Sequence, residues 1–316
     1  MAQLPQGFDP KKLISIVGST GTGKSELGLK IAERLESLGQ RAAIINSDSM
    51  QFYKGMNVGT AKLSLDERRG VRHELLDWLE VTDESTAAGY QAVARPIIEK
   101  LQVEGITPIM VGGSMLYIAA VLNTFEFPGN DEAYRAQLEA DLIEHGPHEM
   151  HRRLAAIDPV AASRIIIENG RRTVRALEII HVTGQPFAAA LPDEVESWQP
   201  VVEIGLTGDR EDLRARLEKR VHLMWQNGLL DEVRELEKSG LRAGKTASRA
   251  IGYSQALAQL DGEMTAVDTI ADTVRLTQKY ARRQISWFKR DPRINWLDYA
   301  DPNNFEKALE LLGLGE

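Results

Sequence analysis

The sequence of 316 residues contains no cysteine. Disulfides, a thiolate nucleophile and a zinc site built from cysteine are therefore excluded. No uninterrupted apolar run approaches the roughly 18 residues that a membrane-spanning helix needs. Residues 1–12 also lack the apolar core of a secretory signal. We therefore expect a cytoplasmic protein with no membrane partner.

Basic residues are fewer than acidic ones: the sequence has 38 Lys and Arg and 46 Asp and Glu, which gives a formal net charge of −8. An acidic balance argues against a nucleic-acid partner, but binding depends on local patches rather than on the average. Hydrophobic residues at 43% and charged residues at 27% are typical of a globular protein. The question of partners therefore depends on local sequence patterns.

The most specific pattern is GSTGTGKS at residues 18–25, which matches the phosphate-binding loop (P-loop) G-x-x-x-x-G-K-[ST]. An apolar run at 13–17 precedes it and predicts a buried strand, and apolar residues at helical spacing follow it over 26–38. Glycines let the backbone bend around an anion, and the helix N-terminus adds partial positive charge. Lys24 is predicted to neutralise the outer phosphate oxygens, and the Ser25 hydroxyl to bind Mg²⁺. The motif predicts a polyphosphate ligand but not its fate.

Strand and helix patterns alternate in the N-terminal part, with strands predicted at 42–46 and 107–111 and helices at about 89–101 and 115–122. From about residue 123 to 200 the chain is poor in strand patterns and has helical ones at 132–145, 148–156, 160–167 and 171–183. A strand at 201–206 is predicted to return to the sheet. Helices at 210–227, 229–239 and about 265–290, a short strand at 295–297 and a last helix within 301–316 follow.

This order predicts an α/β fold, a P-loop-containing parallel sheet with helices on both faces and a helical insertion domain. The predicted domains are residues 1–122, the first part of the core; 123–200, the insertion; and 201–316, the second part of the core with a basic C-terminal helix. Ligands bind outside the carboxyl ends of parallel strands. We therefore expect the loops at 18–25, 47–51 and 112–114 to converge on one site.

Asp48 directly follows the second predicted strand and is the leading catalytic candidate. Beside a bound diphosphate, its carboxylate would orient Mg²⁺ or accept a proton. An aspartate after a strand is also a common turn former. Arg216 and Arg220 share a helix face, and either is predicted to clamp pyrophosphate oxygens.

Basic residues cluster on two predicted helices despite the acidic average. Lys279, Arg282, Arg283 and Arg290 fall at i, i+3, i+4 and i+11 of the long helix, and a second set at 171, 172 and 175 lies in the insertion. Each pattern fits a solvated amphipathic helix and also fits a surface that contacts a nucleic-acid backbone.

Seven motifs occur in order along the chain: GSTGTGKS at 18–25, DSMQFYKGMNVGTAK at 48–62, RHELLD at 72–77, VGGSMLY at 111–117, RRTVRALEI at 171–179, IGYSQ at 251–255 and RRQISWF at 282–288. Together they resemble the tRNA dimethylallyltransferase (tRNA isopentenyltransferase) family of the bacterial type. The resemblance implies transfer of a dimethylallyl group from dimethylallyl diphosphate to the exocyclic amine of adenine at tRNA position 37, with release of pyrophosphate. The implied partners are dimethylallyl diphosphate and the anticodon stem-loop of tRNA, and the implied cofactor is Mg²⁺.

The resemblance also implies roles for single residues. It implies that Asp48 is the general base and that Thr20 lies near the allylic diphosphate; Arg220 completes the predicted catalytic set, and Ser25 is the predicted metal ligand. The residues expected to hold the diphosphate are Gly18, Ser19, Thr20, Gly21, Thr22, Gly23, Lys24 and Ser25, which would concentrate positive charge on the leaving group. With the basic helix included, the predicted tRNA contacts are Asp48, Ser49, Met50, Gln51, Ser114, Arg171, Arg172, Thr173, Val174, Arg175, Arg249, Gly252, Tyr253, Lys279, Arg282 and Arg283. The adenine must leave its stack to reach the allylic carbon, so base flipping is expected.

Three positions depart from the family pattern. Ser114 stands where a threonine is common, Arg171 where a glutamine is common and Ser254 where an arginine is common. The Ser114 hydroxyl can still form a hydrogen bond, whereas the other two changes bear on tRNA contacts or substrate choice. The zinc finger of eukaryotic relatives is absent, as the lack of cysteine requires.

Three other functions use the same features and stay open. A kinase of a nucleoside or small metabolite needs only the loop, Mg²⁺ and a base. A free-nucleotide prenyltransferase needs no surface for tRNA, and a noncatalytic tRNA or nucleotide binder has no need of Asp48. Phosphate transfer from ATP, prenyl transfer to AMP, or indifference to Asp48→Ala would identify each in turn.

Overall fold

The computed structural model describes residues 4–5, 7–124, 127–187 and 196–315. The chain forms two compact units, Met1–Asn123 with Ser197–Glu316, and Thr124–Glu196. The first unit carries the sheet, and the second is helical. Among the described residues, no helix is both long enough and apolar enough to cross a membrane.

A six-stranded parallel sheet forms the centre of the first unit. Its strands are β1 (Leu13–Gly18), β2 (Ala42–Asn46), β3 (Arg72–Glu74), β4 (Thr107–Val111), β5 (Val201–Thr207) and β6 (Asn295–Asp298). They lie in the order β3-β2-β4-β1-β5-β6, and every pairing is parallel. The strand at 201–206 therefore does return to the sheet, where it pairs with β1.

Helices cover both faces of this sheet. The helices of the chain are α1 (Lys24–Ser37), α2 (Ala87–Val103), α3 (Met115–Leu122), α4 (Glu132–Ile157), α5 (Pro159–Arg164), α6 (Gly170–Thr183), α7 (Arg210–Gln226), α8 (Leu229–Lys238), α9 (Tyr253–Leu260), α10 (Ala266–Phe288) and α11 (Asn304–Leu312). Side chains alternate across a strand, so Leu13 and Val17 of β1 pack with α2, α3 and α8–α10, whereas Ile14 and Ile16 pack with α1 and α11. The predicted α/β fold is confirmed.

The sequence pattern does not predict β3 and α9. β3 is an edge strand of three polar residues that pairs only with β2 within the described sheet. α9 follows two single turns of 3₁₀ helix at Leu241–Ala243 and Ala247–Arg249. Such short elements carry too few residues for a periodic pattern to emerge.

The second unit contains α4, α5 and α6. The predicted break near residue 146 is present, because Gly146 interrupts α4 with φ 77° and ψ 172° and Pro147 follows it. Leu138, Met150 and Leu177 are among the residues of the apolar core of this unit. The buried Glu178 carboxylate pairs with the Arg135 and Arg175 guanidinium groups, which neutralise its charge inside that unit.

The chain leaves the first unit after Asn123 and re-enters it at Ser197. These two residues form an isolated antiparallel bridge. Arg293 donates a hydrogen bond to Asn123 Oδ1 at 2.9 Å and another to Ser197 Oγ at 2.7 Å. Arg293 of the first unit therefore holds Asn123 and Ser197, where the chain leaves and re-enters that unit, next to each other.

Candidate active site

The phosphate-binding loop lies between β1 and α1. α1 begins at Lys24 directly after Gly23, whose φ of 85° lies in the left-handed region that favours glycine. Gly18, at the end of β1, has φ 141°, and a Cβ there would lie 2.5 Å from the Leu206 carbonyl oxygen. Gly23 is therefore favoured by its backbone angle, and Gly18 is required by its close approach to β5.

Lys24 is held within this loop. Its Nζ donates a hydrogen bond to the Ser19 carbonyl oxygen at 2.6 Å. Burial lowers the pKa of the Lys24 ammonium to about 8, while the nearby Asp48 carboxylate opposes that shift and Arg220 adds to it. An anionic ligand would favour the charged form, so this lysine is well placed to bind one.

Asp48 follows β2 in a turn that the Asn46 side chain fixes. Asn46 Oδ1 accepts from the Asp48 N–H at 3.1 Å, and Asp48 Oδ1 accepts from the Met50 N–H at 3.0 Å. Among the described residues Asp48 Oδ2 has no hydrogen-bond partner, so it can accept a bond from a ligand. The turn-forming role and a catalytic role are therefore compatible.

Arg220 reaches the same place from α7. Its Nη2 donates to the Thr60 carbonyl oxygen at 3.2 Å, while its buried Nε has no partner within the described ranges. Burial lowers the pKa of the guanidinium, and Asp48 opposes that shift. Arg216 is exposed and lies 3.9 Å from Asp212. Of the two predicted arginines, Arg220 is the one at the site.

Two cavities meet at these residues. The larger one measures 460 Å³ and contains the phosphate loop, and the smaller one measures 240 Å³ and has more apolar walls. Their shared lining residues are Thr20, Asp48, Thr60 and Arg220. The larger cavity is also lined by Gly21, Gly23, Lys24, Ser25, Gln51 and Gly112, and the smaller by Ser49, Met50, Met224, Arg249, Tyr253 and Tyr280, among others. The three polar loops thus converge as expected for strand ends of a parallel sheet.

Two side chains connect these loops to one another. Ser114 Oγ accepts from the Ser49 N–H at 2.8 Å and donates to Ser49 Oγ at 3.1 Å. Gln284 of α10 accepts from the Thr20 N–H at 2.9 Å and donates to the Gly113 carbonyl oxygen at 2.8 Å. Sequence reasoning missed Gln284, because a single amide side chain in a helix gives no signal of a partner so far away in the chain. The Thr20 N–H is engaged here and is not among the free donors of the loop.

The segment 249–253 borders the smaller cavity. Arg249 is exposed, whereas Tyr253 is fully buried and its hydroxyl donates to Glu232 Oε1 at 2.6 Å. Gly252 has φ 92°, and its N–H donates to Gln255 Oε1 at 2.8 Å. Arg249 is therefore the residue of the predicted trio that presents a side chain to solvent.

Basic residues on α10 and just beyond its C-terminal end form a separate surface. Lys279, Arg282, Arg283 and Arg290 are exposed and line a depression of 580 Å³ together with Trp287. The Arg290 guanidinium lies 4.9 Å from a ring centre of Trp287, within range of a cation–π contact. Within the described part of the chain, none of these four cations lines the two cavities above.

The basic segment of the second unit is only partly exposed. Its exposed members are Arg171 and Arg172, and its buried members are Thr173 and Val174. Arg175 is half-buried and donates to Glu178 Oε2 at 2.9 Å and to Asn130 Oδ1 at 3.0 Å. The Arg175 side chain is thus engaged inside its own unit.

The protein groups that could hold a metal ion at the larger cavity are few. Ser25 is exposed there, and Asp48 lines both cavities. No cluster of three His, Asp or Glu side chains suited to a metal ion occurs among the residues described. One hydroxyl and one carboxylate fit Mg²⁺, which commonly takes one or two carboxylates and completes its shell with substrate phosphates and water.

Comparison with known sequences gives one consistent result. The family model described as IPP transferase matches residues 51–291. A tRNA dimethylallyltransferase of Thermobifida fusca is 53% identical over 300 residues, which cover 95% of this chain and 94% of that protein. One of Streptomyces griseus is 52% identical over 286 residues, 90% of each chain.

Comparison with solved structures agrees. The full-length tRNA isopentenylpyrophosphate transferase of Bacillus halodurans has a TM-score of 0.69 at 36% identity and covers 96% of this chain and 94% of its own. A eukaryotic dimethylallyltransferase, captured acting on tRNA, has a TM-score of 0.80 at 27% identity and covers 94% of this chain and 77% of its own.

Proposed function

Because this chain belongs to the IPP transferase family, we propose that it transfers a dimethylallyl group from dimethylallyl diphosphate to the exocyclic amine of adenine at tRNA position 37 and releases pyrophosphate. The proposal rests mainly on one observation. Asp48 and Arg220 lie where the cavity that contains the phosphate loop joins a more apolar one, and Lys24 lines the first of these cavities and interacts electrostatically with Asp48. Such a junction suits a reaction that separates an anionic leaving group from an apolar carbon chain.

The donor diphosphate binds in the larger cavity. Free N–H groups of the phosphate loop, Lys24 Nζ and the unpartnered donors of Arg220 hold its oxygens. Thr20 lines both cavities, which supports its assignment to the neighbourhood of the bond that breaks. When the bond between C1 of the allyl group and oxygen breaks, its electron pair leaves with pyrophosphate, and the surrounding positive charge stabilises that oxygen.

The flipped adenine enters the smaller cavity. Its exocyclic nitrogen forms the new bond to C1 and then carries one proton too many. Asp48 Oδ2 accepts that proton, because Asp48 Oδ1 is already occupied by the Met50 N–H. The products are the prenylated adenine, pyrophosphate and a protonated carboxyl group that returns its proton to water.

Ser25 is the residue that would hold Mg²⁺, which would neutralise charge on the pyrophosphate oxygens, and Asp48 stays available as the base. The tRNA contacts proposed for the first unit are Ser49, Met50, Gln51, Ser114, Arg249, Gly252 and Tyr253, with Lys279, Arg282 and Arg283 on the backbone-binding surface of α10. Residues 171–175 are the proposed contacts of the second unit, with Arg171 and Arg172 presenting the charge. An acceptor of this kind implies a cytoplasmic protein.

The test uses labelled dimethylallyl diphosphate with Mg²⁺ and, in separate reactions, tRNA and AMP. We expect label in tRNA, and we expect Asp48→Asn to lose about 10²- to 10⁴-fold in turnover while it still folds and binds tRNA. Asparagine keeps an acceptor for the Met50 N–H, and Asp66→Asn is the control because Asp66 is exposed. Label in AMP alone, phosphate transfer from ATP, or near-normal turnover of Asp48→Asn would each reject this assignment.

A further inference from the structure

The half-buried carboxylate of Glu232 on α8 collects hydrogen bonds from a loop that is distant in the sequence. Glu232 Oε2 accepts from the Asn57 N–H at 3.0 Å and from the Val58 N–H at 2.7 Å. Glu232 Oε1 accepts from the Gly59 N–H at 3.3 Å and from the Tyr253 hydroxyl at 2.6 Å. Three consecutive backbone donors and one hydroxyl therefore converge on one ionisable side chain, which lies outside the seven sequence motifs.

The other side of the same loop faces the active site. The Thr60 carbonyl oxygen accepts from Arg220 Nη2 at 3.2 Å and from Gln51 Nε2 at 3.1 Å. Within the described ranges, that carbonyl is the one hydrogen-bond partner of Arg220. The orientation of the guanidinium therefore depends on where the backbone at residue 60 lies.

Tyr253 fixes the distance between the loop and Glu232. A Cβ at position 59 would lie 2.5 Å from Cε2 of the Tyr253 ring, so the ring packs directly on the Gly59 backbone. Burial, followed by the charge of Glu232, raises the pKa of the Tyr253 phenol well above its usual value. Tyr253 thus stays protonated and serves as a permanent donor to the carboxylate.

We propose that Glu232 and Tyr253 are positioning residues for the transfer reaction: they hold the segment Asn57–Thr60 so that the Thr60 carbonyl aims Arg220 at the donor diphosphate. This inference rests on the proposed function for its effect on catalysis, because only an anionic leaving group needs Arg220 in that place. Neither residue is required to touch a reacting atom. Each acts through the backbone of the loop.

The experiment compares Glu232→Gln and Tyr253→Phe with wild type and with Glu235→Gln. Glu235 lies on the same helix, is exposed and pairs with Lys238 at 2.7 Å, so its substitution is a matched control. A glutamine offers one acceptor oxygen and turns an N–H₂ group towards the backbone donors, whereas phenylalanine removes a single hydroxyl. We expect Glu232→Gln to lower kcat by about 10- to 100-fold, as displacement of a charge-stabilising group by about 1 Å does. The Kd of Glu232→Gln for tRNA should stay unchanged, because Glu232 is not among the proposed tRNA contacts.

A double-mutant cycle separates positioning from general destabilisation. If Glu232 acts through Arg220, then adding Glu232→Gln to Arg220→Ala should lower kcat by less than about twofold further. Losses that multiply in the double variant, or a full kcat in a folded Glu232→Gln, would overturn the proposal. If Glu232→Gln does not fold, Tyr253→Phe goes through the same cycle under the same criteria.

Binding of inorganic pyrophosphate, measured by calorimetry, gives a readout that does not need turnover. Glu232→Gln and Arg220→Ala should weaken pyrophosphate binding by similar factors, and Glu235→Gln should not weaken it. If wild type transfers no prenyl group to tRNA but these shifts occur, the proposed function fails and the positioning role stands. If transfer occurs and pyrophosphate binding is indifferent to Glu232, the positioning role fails and the function stands.

Discussion

The lowered pKa of Lys24 makes a quantitative prediction for the pH dependence of donor binding. With a pKa of about 8, roughly nine-tenths of the Lys24 side chains are protonated at pH 7 and roughly one-tenth at pH 9. If only the ammonium form binds the diphosphate, apparent affinity falls in proportion to that fraction, by about tenfold, or ~1.4 kcal/mol. A lysine at the ordinary value of 10.5 would lose only about 3% over the same interval.

The direction of proton exchange on binding follows from the protonation state of Lys24 that the anion favours. An anion stabilises the ammonium form, so binding raises the Lys24 pKa, and the complex takes up a proton wherever the free protein has lost it. Uptake should therefore be small at pH 7 and approach one proton per site at pH 9. Without ligand, the lowered pKa also makes the free energy of unfolding depend on pH. The contribution of neutral Lys24 to that free energy is fully present above pH 10.5 and is lost as the pH falls through about 8.

The assay is calorimetric titration with inorganic pyrophosphate at pH 7 and pH 9, at constant ionic strength and free Mg²⁺, in two buffers of different ionisation enthalpy. Pyrophosphate also loses protons over this range, which acts in the opposite direction. Lys24→Arg corrects for this, because a guanidinium stays charged at both values. Wild type should lose about tenfold more affinity than Lys24→Arg between the two pH values. Equal changes in the two proteins would show that the pKa of Lys24 is not lowered in the free protein.

Three further predictions concern other contacts. Gln284→Leu leaves the Thr20 N–H and the Gly113 carbonyl unpaired and should cost ~1–3 kcal/mol in urea unfolding, with a raised KM for the donor; an unchanged midpoint would count against the bridge. Glu178→Ala leaves the charges of its two arginine partners uncompensated and should expose the second unit to limited proteolysis, a result that resistance equal to wild type would contradict. Arg282→Ala should reduce the slope of log K against log salt for tRNA by about 1 if it contacts a phosphate, and an unchanged slope would remove it from the interface.

The periodic elements of the core could be predicted from the sequence because each follows a local pattern. The bounds of β2, β4 and α3 agree with the apolar runs that predict them. β3 could not be predicted in this way, because three polar residues become a strand only through pairing with β2. Local pattern determines the buried elements, and tertiary pairing determines the edge.

In the candidate site too, local sequence patterns predict some residues, whereas others depend on tertiary contacts. Lys24, Asp48 and the three loops follow from motif and strand order, and the two cavities do meet there. Arg220 rather than Arg216 lies at the site because it is the residue of α7 that contacts the loop at residue 60. That contact is tertiary and cannot be read from the sequence of α7. Gln284 and Glu232 were beyond sequence reasoning, since their partners lie 264 and about 175 residues away in the chain.

The pairing of Asn123 with Ser197 means that the helical unit is inserted into the first unit at two adjacent positions. The chain departs from and returns to neighbouring points that Arg293 fixes from within the core, so the sheet gains no topological link from whatever lies between them. Residues 124–196 can therefore be lengthened, shortened or exchanged while the sheet of the first unit keeps its connectivity. The proposed tRNA contacts at residues 171–175 can therefore change without any change in the connectivity of the sheet.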